Sequence, residues 1–176
     1  MRIGHLGLTV LNLDRSEAFY RDVFDFATFF RIRRTAEVPW LAAQTGYPDA
    51  DIEFCHMRGH GLHLELLQYH EPFQPAWLPE DSCRPGHMHV NFTVDDLEAL
   101  TTRVREYIVT HRDPADCTKF VGHAGRLVDT MITDGPQTGG KGYYMRDPDG
   151  HTIELWQPAP TATFGVPQED LVGVPV

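Results

Sequence analysis

The chain repeats itself, and that repeat constrains its fold more than any other feature. "HLGLTV", His5 to Val10, returns 84 residues later as "HVNFTV", His89 to Val94, with histidine, threonine and valine in register and the apolar positions matched in type. "GLHLELLQY", Gly61 to Tyr69, returns as "GHTIELWQP", Gly150 to Pro158, with glycine, glutamate, leucine and glutamine aligned. Two such pairs in the same order point to duplication of one unit. Glu65 and Glu154 stand 89 residues apart, five more than the histidines, a difference that loops absorb at little entropic cost.

Each copy reads as strand, helix and three strands. "LNLDRSEAFYRDVF" and "DDLEALTTRVREYI" carry helical apolar stripes, through Phe19, Val23 and Phe24 in one and Leu97, Leu100, Val104 and Ile108 in the other. Asp14 followed by Glu17 resembles a capping box. "FATFFRIRR", "ADIEFCHMR", "RLVDTMITD" and "GKGYYMRD" read as strands, and "DPDG" at Asp147 to Gly150 as a hairpin turn. The expected organisation is a first module over residues 1–72, a proline-rich linker over 73–86, a second module over 87–158 and a tail over 159–176. "PWLAAQTGYPDA" is expected to form a short helix and loop over one end of the first sheet.

Composition narrows the partners. The 176 residues carry a formal charge of −10, and the only dense basic stretch is "RIRR" at Arg31 to Arg34, which disfavours nucleic acid and anionic membranes and leaves a small molecule as the expected partner. The three cysteines have no CxxC spacing, and the N-terminus runs straight into a strand pattern. A soluble, cytoplasmic, thiol-reduced protein is expected. Cys55 suits a small buried hydrophobe; Cys83 and Cys117 fall in loops, and no role is assigned to any of the three.

Alternate residues of a strand share a face. Glu65 therefore projects with His63, Leu67 and Tyr69, and Glu154 with Thr152 and Trp156; His5 projects with Gly7 and Thr9, and His89 with His87, Asn91 and Thr93. A carboxylate in such an apolar strand is costly to bury without a partner. A divalent cation supplies one, since two imidazoles and two carboxylates make a mixed N/O donor set suited to Fe, Mn, Ni, Co or Zn. A histidine alone in a strand is usually an ordinary polar residue. Four candidates at repeated positions, His5, Glu65, His89 and Glu154, are read instead as ligands of one metal ion.

"HLGLTV" with "LDRSEAFYRDVF", "LHLELLQY", "HVNFTVDDLEAL" and "YYMRDPDGHTIELWQP" together resemble the vicinal oxygen chelate superfamily, which contains glyoxalase I, methylmalonyl-CoA epimerase, extradiol dioxygenases and the bleomycin and fosfomycin resistance proteins. The resemblance spans nearly all of residues 1–158. It implies an α+β fold of two βαβββ modules curled into an eight-stranded cup, with ligands from the first and last strand of each module, here His5, Glu65, His89 and Glu154. It further implies a lyase or isomerase of the glyoxalase type that moves a proton beside a metal-chelated carbonyl, with Glu154 or Glu65 as the base. His63, His87 and Tyr69 share strand faces with the ligands and are further acid/base candidates; of Tyr143 and Tyr144 only one can point into the cup. "LLQY" after the first glutamate departs from glyoxalase I, and no segment matches its glutathione-binding stretch.

Two other functions compete. An Fe(II) extradiol-type dioxygenase needs two histidines and one carboxylate, which His5, His89 and Glu154 would satisfy. A drug-sequestering protein would use the same cup without metal, with Trp40, Phe73, Trp77 or Trp156 against a flat ligand, but it has no need of four ligands. A homodimer is expected. His56, His60, His70, His111, His123 and His151 have no repeated partner and are set aside as surface residues or residues behind the ligands.

Overall fold

The computed structural model describes residues 2–33, 40, 44–74, 83, 85–111, 130–131 and 138–159. Most of the linker beyond residue 74, with Trp77, most of the 112–137 stretch, with Cys117 and His123, and the tail beyond residue 159 lie outside the described residues.

The first module comprises β1 (Leu6–Thr9), α1 (Leu13–Phe24), β2 (Ala27–Ile32), β3 (Asp51–Gly59) and β4 (Leu62–Glu71). The second repeats the order with β5 (His89–Thr93), α2 (Leu97–His111), β6 (Thr130–Met131), β7 (Lys141–Arg146) and β8 (Thr152–Gln157). The result is an α+β fold of two βαβββ units. Its eight strands form two four-stranded sheets, ordered β1-β4-β3-β2 and β5-β8-β7-β6. In each, the first strand runs parallel to the last, and the remaining pairs are antiparallel.

Helices α1 and α2 lie in one shared core. Phe19, Tyr20, Val23 and Phe24 of α1 and Leu97, Val104 and Tyr107 of α2 pack with Cys55, Met57, Leu64 and Leu66 of one sheet and Tyr143, Met145, Ile153 and Leu155 of the other. Phe24 stacks on Phe92 of β5 with ring centroids 5.2 Å apart, and Phe19 meets Tyr107 edge-on at 5.6 Å. Each sheet thus spends its apolar face on the helices and turns its alternate residues the other way. Cys55 is fully buried, and burial pushes its thiol up to about 11, in keeping with a packing role.

The repeated glutamine has a repeated job. Gln68 Oε1 accepts the Leu13 N–H and Gln157 Oε1 accepts the Leu97 N–H, each at 2.8 Å, so the last strand of each module satisfies an otherwise orphaned amide at the start of its helix. The capping box expected at Asp14 lies elsewhere. The N-cap of α1 is Asn12, whose side chain accepts the Arg15 N–H, and Asp14 already sits in the first turn. Glu17 does not reach back to the cap but turns to Thr28 and Arg31 of β2. At α2 the cap is Asp96, which accepts the Ala99 N–H at 2.9 Å.

Both hairpin turns reach α1, and the second of them ties the modules together. His60 and Gly61 both have positive φ, 53° and 75°, as a two-residue β3–β4 turn requires, and His60 Nε2 donates to the Phe24 carbonyl at the end of α1. The Asp147–Gly150 turn is closed by Gly150 N–H to the Asp147 carbonyl, with Gly150 at φ 90°. Asp149 in that turn accepts the Leu11 N–H at 2.7 Å, the Ser16 hydroxyl at 2.5 Å and the Arg15 guanidinium at 2.5 Å. Asp147 accepts the Tyr20 hydroxyl at 2.8 Å and two amides of its own turn. No helix among the described residues is long and apolar enough to cross a membrane.

Asp149→Ala strips a buried carboxylate from three donors and leaves Arg15 without this partner; chemical denaturation should show a loss of about 3 kcal/mol or more, against about 1 kcal/mol for Gln68→Ala. Burial, ahead of the neighbouring Asp149 charge, raises the Asp147 carboxyl above its ordinary 3.8. Its stabilising contribution is therefore fully present below that value and is lost as pH rises through the higher folded value. The stability of Asp147→Asn relative to the wild type should accordingly climb with pH above about 4, measured by denaturant melts across a pH series.

Candidate functional site

On the sheet faces turned from the helices, each module presents one His–Glu pair. His5 sits just before β1, and its Nε2 lies 3.2 Å from Glu65 Oε2 on the adjacent β4. His89 opens β5, and its Nε2 lies 3.2 Å from Glu154 Oε2 on the adjacent β8. The exposures match as closely as the distances: 45% for the His5 side chain and 44% for His89, with 17% and 20% for the glutamates. The duplication has preserved a half-buried carboxylate under an open imidazole.

A third side chain joins each pair from across the sheet. His56 of β3 is the direct cross-strand neighbour of Glu65, and its Nε2 lies 3.4 Å from Glu65 Oε1. Its Nδ1 meets His63 Nε2 at 2.9 Å, so His63, Glu65, His56 and His5 form one polar cluster, walled by Phe29 and Phe30. Burial, followed by the neighbouring His63 and His5, lowers the His56 pKa, against the opposing pull of Glu65. In the second module the corresponding cross-strand neighbour is Tyr144, opposite Glu154, with its ring 5.6 Å from that of His89. Burial first, then the Glu154 charge and a hydrogen bond to it, raise the Tyr144 hydroxyl pKa, so near neutrality it keeps its proton and donates it to the carboxylate. Tyr144 is the tyrosine on this face; Tyr143 is buried in the core.

The residues named from sequence fall into three groups. His5 with Glu65 and His89 with Glu154 are brought together as pairs, but among the described residues no group of three or more His, Cys, Asp and Glu side chains is placed to hold a metal ion, so the four do not form one cluster within the chain. His63 reaches the Glu65 cluster through His56. His87 Nε2 is bound to Thr152 Oγ1 at 2.5 Å with Arg146 at 3.3 Å, and Tyr69 lies further along β4, edge-on to Tyr47 at 6.1 Å, where burial first and then the Tyr47 and Glu65 charges raise its hydroxyl pKa. Trp156 covers Gly142, where an added Cβ would meet its ring at 3.5 Å.

Sequence alone sets His56 aside and leaves Tyr144 undistinguished from Tyr143, because neither residue shares a motif with its counterpart in the other copy. The signal lies in pairing rather than in identity: each is the residue opposite a repeated glutamate in an antiparallel hairpin, a position that counting back from the hairpin turn recovers. The remaining histidines are explained locally. His60 and His151 donate to backbone carbonyls, those of Phe24 and Thr9, and His111 stacks on Tyr107 at 3.9 Å.

Comparison with known proteins agrees with this architecture. The family model described as Glyoxalase/Bleomycin resistance protein/Dioxygenase superfamily matches residues 2–155. Among solved structures, a glyoxalase family protein from Bacillus cereus superposes with a TM-score of 0.67 at 18% identity, over 90% of this chain and 95% of that one. A glyoxylase/bleomycin resistance protein/dioxygenase domain from Frankia sp. EAN1pec gives 0.56 at 19% identity, over 91% and 93%. A genomically encoded fosfomycin resistance protein from Listeria monocytogenes gives 0.53 at 14% identity, over 97% and 98%. At these identities the likeness is one of fold. No curated protein matches the sequence. With the family model spanning both modules, the chain belongs to the Glyoxalase/Bleomycin resistance protein/Dioxygenase superfamily.

Proposed function

We propose that the chain is a metal-dependent lyase or isomerase that moves a proton beside a carbonyl of a small molecule, and that it works as a homodimer. One observation carries this: two His–Glu pairs with equal 3.2 Å contacts and near-equal exposure stand on open sheet faces. A single pair is too few donors for a firmly held divalent ion, and two pairs make a mixed N/O set of four. The pairs do not meet within the chain, so a second copy that sets its His89 and Glu154 against His5 and Glu65 would complete the set, once for each copy under twofold symmetry. The donors fit a divalent cation of the Fe, Mn, Ni, Co or Zn type. Such an ion, when bound, supplies Lewis-acid stabilisation of negative charge developing on a substrate oxygen.

The chain's own groups divide the proton work. Glu65 has one carboxylate oxygen facing His5 and the other facing His56, so a proton taken up there has an imidazole beside it, and His63 stands next in line. Glu154 instead accepts a hydrogen bond from Tyr144, a phenol that keeps its own proton near neutrality and so offers no onward route for a second one, which suits a holding role over a proton-accepting one. Glu65 is therefore the base in this proposal.

Metal analysis after purification, together with oxygen uptake on a catechol panel, tests the chemistry. Bound nickel, cobalt, zinc or manganese without oxygen use is expected; bound iron with oxygen consumption would assign an extradiol-type dioxygenase instead, and absence of bound metal would favour sequestration. Glu65→Ala and Glu154→Ala should each weaken metal binding by at least about tenfold. Mixing the two variants after reversible dissociation should restore about a quarter of the metal sites, since half of the dimers are then mixed and each has one intact site. No restoration would place all four ligands in one chain.

A further inference from the structure

A cavity of about 370 Å³ lies where the modules meet, at the end of the sheet face that carries Glu65. Its walls come from both halves: Tyr69, Pro72 and Phe73 at the end of β4, Tyr47 from the preceding loop, and Asp149 and His151 from the β7–β8 turn. Tyr47 and Tyr69 stand edge to face at 6.1 Å, and Phe73 is more than half exposed. The volume falls in the range of small-molecule sites. None of the lining residues is a lysine or arginine.

The polar groups in the wall specify the ligand further. Asp149 is committed to the Leu11 amide, the Ser16 hydroxyl and the Arg15 guanidinium, so its charge is already balanced and its lone pairs are engaged. It neither repels a neutral ring nor calls for a cation. His151 Nε2 faces the Thr9 carbonyl at 2.9 Å, and a carbonyl only accepts, so the ring proton is on Nε2. Nδ1 is then the acceptor of this imidazole. The site offers aromatic faces and edges, the His151 Nδ1 as an acceptor on the side of the second module, and the Gln74 amide and the Tyr47 and Tyr69 hydroxyls as further polar groups, with no lysine or arginine to hold an anion.

We propose that this cavity binds a neutral aromatic group with a hydroxyl donor, a phenol in chemical class. The face leading from it to Glu65 is graded to match. Ile52, Phe54, Leu67 and Tyr69 form an apolar patch on the same side of the sheet, and the imidazole cluster begins beyond Leu67. Tyr69 and Glu65 are four residues apart on β4, about 13 Å at the rise of an extended strand. Resting on the function proposed above, the substrate is then an elongated molecule with its aromatic end between the modules and its oxygens at Glu65.

Ligand-observed NMR titration of metal-stripped protein tests the cavity independently of the metal chemistry. The probes are p-cresol, 4-methylanisole, p-toluate and 4-methylbenzylamine, one ring shape with a donor, without a donor, and with either charge. p-Cresol should bind at least fivefold tighter than each of the other three, and Tyr47→Ala and Tyr69→Leu should each weaken it fivefold or more while leaving the thermal melt in place. Tighter binding of either charged probe, equal binding of the anisole, unchanged affinity in both variants, or no binding of p-cresol would each overturn the assignment. Because Tyr47 is half exposed, its variant keeps the test valid even if Tyr69→Leu does not fold. Loss of metal binding with p-cresol binding intact would sink the catalytic proposal and leave this one standing.

Discussion

The arrangement rests on one buried carboxylate. Asp149 belongs to the second module but spends its oxygens on the first: the Leu11 amide, the Ser16 hydroxyl and the Arg15 guanidinium all converge on it at the start of α1. Two sheets packed on shared helices could slide along an apolar seam at modest cost, since hydrophobic contact is non-directional. A carboxylate sunk among three donors cannot slide without leaving itself and a guanidinium unpaired. The neighbouring Asp147 adds a second tie through Tyr20, again from turn to helix. The apolar core supplies the bulk of the attraction and the aspartates supply its register.

From that register follows the outward display of the functional faces. With α1 and α2 filling the space between the sheets, β4 and β8 must direct Leu64, Leu66, Ile153 and Leu155 inward. The odd-numbered partners in β4 and the even-numbered ones in β8 then have no choice of side. Glu65 and Glu154 are half-buried rather than lost in the core because they sit on the face left open, and each is shielded by an imidazole and a cross-strand neighbour. Slipping either strand by one residue would drive a carboxylate into the core and a leucine into solvent.

The repeat and the strand alternation made most of this legible from sequence: the two βαβββ units, the helix stripes, the shared faces of His5 with β1 and Glu65 with β4, and the Asp147–Gly150 turn. What escaped has a common physical cause. Strand alternation states which residues share a face along one strand, but not which residues sit opposite one another across a hairpin, so it neither places His56 beside Glu65 nor chooses Tyr144 over Tyr143 beside Glu154. Helix capping was misread for a similar reason: Asp14 and Glu17 have the right spacing, but Asn12 is nearer the entry of the chain, and Arg31 draws Glu17 away. Where the two His–Glu pairs stand relative to one another is a property of how modules associate, which no local pattern encodes.

The duplication has kept the His–Glu pairs equal and let their third members diverge. Next to Glu65 stands an imidazole, a group that exchanges protons readily near neutrality; next to Glu154 stands a phenol, which does not. Two halves that began as copies thereby hold their glutamates beside groups of unlike acidity. The two pairs are equal in geometry and unlike in proton chemistry, so the ancestral symmetry of the fold no longer extends to what stands beside the carboxylates. The difference lies at one cross-strand position, where His56 stands opposite the glutamate in one copy and Tyr144 in the other.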